Sequence, residues 1–99
     1  MNEFEKLRQA DRRLAILQLL KAEGWSMNEY LLRRALELGH GHKISRDLLL
    51  SDLAWLKEQG LANLNVVQEM TMAKLTARGL DVATGAVVVP GVQRPEPEA

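Results

Sequence analysis

The order of secondary structure is decided by residues 45–76, SRDLLLSDLAWLKEQGLANLNVVQEMTMAKLT. Its first half carries leucines three and four positions apart, which is the spacing of one helical face. Ser45 directly before this run predicts an N-cap. We therefore expect a helix over about residues 46–59, with a core stripe formed by Leu49, Leu53 and Leu56.

The second half of this stretch changes period after Gly60. Two short runs of β-tolerant residues, 61–67 and 70–75, flank a polar pair at 68–69, and this pattern predicts a hairpin. Thr76 then predicts the cap of a brief helix that ends near Gly85.

Two further helices are predicted before residue 45. The first has an apolar face that starts at Phe4 and ends before Gly24. The second begins with Ser26 and Glu29 as a capping box and ends at Gly39. Its predicted buried face consists of Met27, Leu31, Ala35 and Leu38, with Leu32 and Leu36 alongside.

This order predicts a mainly α fold with a small β-hairpin, the winged helix-turn-helix: three helices, a wing and a short fourth helix. Residues 1–89 form the winged-helix domain in this interpretation. Residues 90–99, where Pro95 and Pro97 lie among charged residues, are expected to form a flexible C-terminal tail.

The composition limits the function classes. Lysine plus arginine equals aspartate plus glutamate, 13 against 13, so any binding of DNA must come from a local patch. The chain has no cysteine, no glycine-rich phosphate loop and no nucleophile set against a base. We expect no catalysis and no cofactor. The longest apolar run is far below the roughly 20 residues that span a bilayer, so we expect a cytoplasmic protein that does not bind membranes.

Two segments carry a resemblance to known families. Residues 49–61, LLSDLAWLKEQGL, resemble the end of the recognition helix and the start of the wing in ArsR- and MarR-like winged-helix proteins. Residues 75–79, LTARG, are similar to the segment that leaves their wing. Residues 76–83 and 90–95, together with the Arg- and Leu-rich first helix, resemble small winged-helix proteins of Mu-like phages and prophages. The resemblance implies a phage origin and a winged-helix fold.

In a winged helix the third helix enters the major groove of double-stranded DNA. We name Lys43, Arg46 and Ser51 as candidate DNA contacts, through phosphates or bases. The alternative is that they are ordinary solvated surface residues. The face opposite the core stripe carries Asp47, Ser51, Ala54 and Glu58, so it holds two acids and no base.

Other charged groups are interpreted as structural. The pairs Arg12-Arg13 and Arg33-Arg34 are expected to form salt-bridged, solvated faces rather than a basic patch. His40 and His42 lie in a glycine-rich turn and are expected to be exposed. They have no evident third ligand, so we expect no metal site.

Phe4, Leu7, Leu48 and Trp55 extend beyond the predicted core. They are candidates for burial within the monomer or for a homodimer or partner interface. The ArsR- and MarR-like resemblance implies dimerisation through terminal helices. We thus predict a DNA-binding phage or prophage regulator, or another DNA-linked factor. The alternative is an interaction module for a phage or host protein that does not bind DNA, which the acidic third helix and the uncharged wing favour.

Overall fold

The computed structural model describes residues 1–97. It contains α1 (Glu3–Ala22), β1 (Ser26–Asn28), α2 (Glu29–His40), α3 (Arg46–Glu58), β2 (Ala62–Val67), β3 (Met70–Leu75) and α4 (Ala77–Thr84). The strands form one antiparallel sheet in the order β1-β3-β2. The predicted fold class is confirmed: the chain is mainly helical, with the helices and small sheet of a winged helix.

The predicted start of α2 at Ser26 is wrong, because residues 26–28 form strand β1 and the helix begins at Glu29. Gly24 and Trp25 both have positive φ, of 74° and 76°, and this turn sends the chain into β1. Ser26 then pairs with Lys74 of β3 instead of capping a helix. The N-cap of α2 is Asn28, whose side chain accepts a hydrogen bond from the Leu31 N–H at 2.8 Å.

The predicted buried face of α2 is also partly wrong. Leu32 and Leu36 are fully buried, whereas Leu31 and Leu38 are exposed. The helix contacts α1, α3, β1 and β3, and the stripe that carries Leu31 and Leu38 remains exposed to solvent. It ends at His40, with Gly41 rather than Gly39 in the left-handed C-cap conformation.

The elements predicted from residues 45–76 are confirmed. Ser45 caps α3, and Leu49, Leu53 and Leu56 are fully buried. The hairpin turns at Gln68 and Glu69, which both have positive φ, as in the two-residue turns that match the strand twist. Thr76 caps α4, and its hydroxyl accepts a hydrogen bond from the Gly79 N–H at 2.9 Å.

The predicted tail begins with residues that contact α1. Val92 is buried, and the Gln93 N–H donates a hydrogen bond of 3.1 Å to the Ala10 carbonyl. The domain boundary at residue 89 and the flexibility of residues 90–99 stay predictions, and residues 98 and 99 lie outside the described residues. Within residues 1–97, no helix combines the length and the apolar character needed to cross a bilayer.

Candidate nucleic-acid interface

The outward face of α3 is the surface that a winged helix presents to a DNA groove. The buried leucine stripe anchors α3 in the core and leaves Asp47, Ser51, Ala54 and Glu58 exposed. This is the arrangement predicted from the helical period. The face carries two carboxylates and one hydroxyl, so α3 itself supplies little attraction for a polyanion.

Lys43 and Arg46 lie at the N-terminal end of this helix. Lys43 is exposed in the loop between α2 and α3, and Arg46 is the first residue of α3. Ser51 is exposed further along the outward face. The three candidate contacts therefore lie on or next to one element. Ser51 is neutral, Lys43 makes no ion pair within residues 1–97, and Arg46 is paired with Glu29.

Arg46 is already engaged within the protein. Its Nε donates to the Glu29 carboxylate, and its Nη2 lies 3.3 Å from the second Glu29 oxygen and 3.4 Å from the Glu69 carbonyl. The Thr71 N–H donates to Glu29 as well, at 2.7 Å. Arg46 and Glu29 thus join the starts of α3 and α2 to the wing.

This ion pair has a clear electrostatic signature. The hydrogen bond from Arg46 is the largest cause that lowers the pKa of Glu29 to about 2, with the Thr71 N–H acting in the same direction against the effect of burial. The same contact raises the pKa of Arg46. Sequence reasoning missed this role of Glu29 because its partners lie 17 and 42 residues away.

The wing tip has no basic residue. Residues 65–69 are Asn, Val, Val, Gln and Glu, and the side chains of Val66 and Val67 are largely exposed. A wing that grips a phosphate backbone uses cationic or hydrogen-bonding side chains. This wing offers the hydrogen-bonding side chains of Asn65 and Gln68 but no cation, and two exposed valines lie next to its polar turn.

The paired arginines of α1 do not form the solvated face that we expected. Arg12 and Arg13 are buried, and both donate through Nε to Asp52 of α3, which is 1% exposed. They turn inward because Asp52 lies on the core side of α3. On α2, Arg33 is half-buried and Arg34 is exposed.

The expected exposure of both histidines is wrong for His42. Its ring is buried, and Nε2 lies 2.7 Å from the Asp11 carboxylate, while Nδ1 has no hydrogen-bond partner among residues 1–97. His40 is exposed. His42 therefore joins the α2–α3 loop to α1, and the described residues contain no group of three or more metal-ligating side chains.

The four interface candidates are placed differently. Phe4 and Leu7 are exposed on the first turns of α1, and Leu48 is 38% exposed. Trp55 is half-buried, because the Arg13 guanidinium lies 3.8 Å from its ring centre and Gly91 packs against the ring edge. A role for these residues in an interface stays a prediction.

The solved structures that resemble this chain support the fold. RosR of H. salinarum has 23% identity and a TM-score of 0.65, over 73% of this chain and 64% of that one. A complex structure of RosR-S4 has 21% identity and a TM-score of 0.64, over 84% of this chain and 64% of that one. This chain thus spans less than two thirds of the length of those RosR chains. No protein-family model matches it.

Two relatives match almost end to end. The uncharacterized protein gp26 of Escherichia phage Mu is 40% identical over 89 residues, which are 90% of this chain and 92% of that protein. An uncharacterized protein of Haemophilus influenzae is 36% identical over 96 residues, 96% of this chain and 93% of that protein. The chain therefore belongs to the family of the Mu phage protein gp26.

Proposed function

We propose that this chain is a winged-helix protein that binds double-stranded DNA and acts in phage or prophage gene control, or in another DNA-linked step in the cytoplasm. The observation that supports this proposal is the winged-helix fold, in which α3 has one side fully anchored in the core and its opposite side exposed. A helix held in this way is available to enter a major groove.

The DNA contacts in this proposal come from Lys43, Arg46 and Ser51. Lys43 is exposed and contributes a free positive charge, and Ser51 contributes an exposed hydroxyl. Arg46 is half-exposed, so its outer edge can reach a phosphate while Glu29 holds its Nε. With so few cations on this surface, we expect weak binding to arbitrary DNA and a need for a preferred sequence.

The test is fluorescence anisotropy of labelled duplex DNA at two salt concentrations. We expect binding that weakens with salt, with a slope that reports about two neutralised phosphates. Lys43→Ala should reduce that slope by about one contact. Lys21→Ala, on α1, is the matched control and should leave the slope unchanged. No binding at low salt, to random and phage-derived duplexes alike, would refute the proposal.

A homodimer is the expected DNA-binding form, since a two-fold axis presents α3 to two half-sites. Anisotropy titrations with duplexes that carry one or two copies of the preferred site distinguish a dimer from a monomer. A dimer should gain affinity from the second copy, whereas a monomer should bind both copies independently.

A second candidate is a protein-interaction module that does not bind DNA. The acidic outward face of α3 and the exposed Val66 and Val67 beside the wing turn favour it, because exposed apolar groups beside polar ones are typical of contact surfaces. In this case, the chain should bind an identified phage or host protein, and Val66→Asp should weaken that binding. Val88→Asp, also at an exposed valine, is the control.

A further inference from the structure

Strand β2 forms one edge of the sheet and lacks the features that keep an edge strand from pairing with another chain. Proteins protect such edges with short strands, charged side chains, proline or a β-bulge. Residues Ala62–Val67 pair with β3 at six consecutive positions without a bulge, and they include no charged residue and no proline. The opposite edge, β1, has only 3 residues and is protected by its shortness.

The hydrogen bonds of β3 show which backbone groups of β2 point out of this edge. The Thr76 N–H donates to the Leu61 carbonyl at 3.2 Å, whereas the Leu75 N–H donates away from β2, to the turn before β1, at 2.7 Å. Hydrogen-bonded positions alternate along an antiparallel pair, so the N–H and C=O groups of Leu64 and Val66 point outward. Within residues 1–97, no other backbone segment pairs with these groups.

The side chains along this edge are open as well. Val66 is 66% exposed and Val67 is 49% exposed. Asn63 and Asn65 are exposed between them and the start of the strand. A strand added at this edge would therefore satisfy the outward backbone groups and cover apolar side chains at the same time.

We propose that the β2 strands of two copies of this chain pair antiparallel about a two-fold axis at Asn65, so that the two sheets become continuous. In this register Leu64 and the partner's Val66 exchange backbone hydrogen bonds, and the axis repeats the exchange. Asn65 lies opposite the partner's Asn65 at a non-hydrogen-bonded position, where facing side chains are closest.

Two properties of β2 favour a second copy as the occupant. An uncharged strand meets no like charge when it pairs with itself, and like charges directly opposite each other destabilise a strand pair. Strand β2 is also extended in the folded chain, so pairing two copies costs little conformational entropy, whereas a free peptide must first be ordered. The inference rests on β2 alone and does not depend on DNA binding.

The proposed interface is small, with one strand from each copy, so we expect a dissociation constant of about 100 µM. Sedimentation equilibrium of the full chain without DNA, from about 10 to about 1000 µM, should show a monomer–dimer equilibrium. A chain that remains monomeric over this whole range would refute the inference, whatever its affinity for DNA.

Charges placed at the axis test the register. Asn65→Lys and Asn65→Asp should each weaken dimerisation by about tenfold or more, because each puts two like charges directly opposite each other. An equimolar mixture of the two variants pairs opposite charges and should dimerise within about threefold of the unmodified chain. Val88→Lys, at an exposed valine outside the sheet, is the control and should leave dimerisation unchanged. Circular dichroism should show an unchanged fold for all variants, and a mixture as weak as either variant alone would overturn the proposal.

Disulfide formation locates the axis, since the chain has no cysteine of its own. Facing non-hydrogen-bonded residues have Cα atoms about 4.5 Å apart, which is within the range that a disulfide spans. Asn65→Cys should therefore form a covalent dimer when oxidised glutathione is added. Val67→Cys, two positions from the axis, should not. A dimer that Val67→Cys traps and Asn65→Cys does not would contradict the proposed pairing.

Discussion

Asp52 is the residue on which the interior electrostatics depend. Its buried carboxylate accepts hydrogen bonds from the Nε atoms of Arg12 and Arg13. Arg13 also covers Trp55 and donates to the Gly91 carbonyl at 3.4 Å. One carboxylate thus orders two guanidinium groups that join α1, α3 and the C-terminal segment. Buried charges of this kind are tolerated only when they are paired.

Removing Asp52 should therefore be costly. We expect Asp52→Ala to lower the free energy of unfolding by about 3–5 kcal/mol, because two buried guanidinium groups lose their counter-charge. Urea unfolding followed by circular dichroism measures the change. Glu58→Ala, at an exposed acid on the same helix, should alter stability by no more than about 0.5 kcal/mol. Equal effects of the two substitutions would contradict the structural role of Asp52.

At the scale of elements, Glu29 holds the wing against the helices. As the first residue of α2, it binds Arg46 at the start of α3 and the Thr71 N–H of β3. The wing therefore has a fixed position relative to α3. In the DNA-binding proposal, this position determines which surfaces can contact one duplex together.

This link should make stability depend on pH. The folded state lowers the pKa of Glu29 from 4.5 to about 2, so the contribution is complete above pH 4.5 and disappears as pH falls towards 2. Glu29→Gln should destabilise the protein at neutral pH by about 1–3 kcal/mol, and the difference from the unmodified chain should shrink by pH 2. Urea unfolding at several pH values tests this, with Glu58→Gln as the control. A difference that does not vary with pH would contradict the ion pair.

The junction of α3, β2 and α4 requires a glycine. A Cβ at Gly79 would lie 2.1 Å from the Leu61 carbonyl oxygen and 2.7 Å from Leu75 Cδ1. We expect Gly79→Ala to cost about 1–3 kcal/mol, because backbone must move to admit the methyl group. Gly39→Ala, in α2 with open space around it, should instead stabilise by about 0.5–1 kcal/mol. Thermal unfolding measures the stability of both variants. A Gly79→Ala variant with unchanged stability would argue against this packing.

At the scale of the whole molecule, the segment after α4 returns across α1. Val89 and Val92 are buried, and Gly91 lies against Trp55 and Arg13. These contacts connect residues near one end of the chain with a helix near the other. The core therefore includes residues from the segment that composition alone suggests is a tail.

Substitutions at two valines test whether the segment after α4 packs on α1. Val92→Ala should destabilise the protein by about 1.5–2 kcal/mol, since it removes two buried carbon groups. Val88→Ala, at a valine that is 56% exposed, should have little effect. Chemical denaturation with tryptophan fluorescence measures both, because Trp55 lies beside this segment. If the two variants are equally stable, residues 90–95 do not pack on α1 in solution, and the predicted flexible tail is correct.

The sequence by itself determined the elements whose signals are local. Ser45, Thr76 and the leucines of α3 define caps and a helical period within a few residues, and the change of period after Gly60 marks the hairpin. These features depend on neighbouring backbone groups, so they can be recognised without knowledge of distant contacts. These local features were sufficient to predict the winged-helix fold and to predict which face of α3 packs in the core.

Only the tertiary structure decided which surfaces are free. Helix α2 carries two apolar stripes of similar quality, and its contacts with other elements select Leu32 and Leu36 for the core. Strand β1 forms because β3, some 45 residues later, offers it hydrogen bonds. Asp52 likewise meets arginines about 40 residues away. Burial and ion pairing depend on groups that folding brings together. The spacing of residues along the chain does not predict those distant partners.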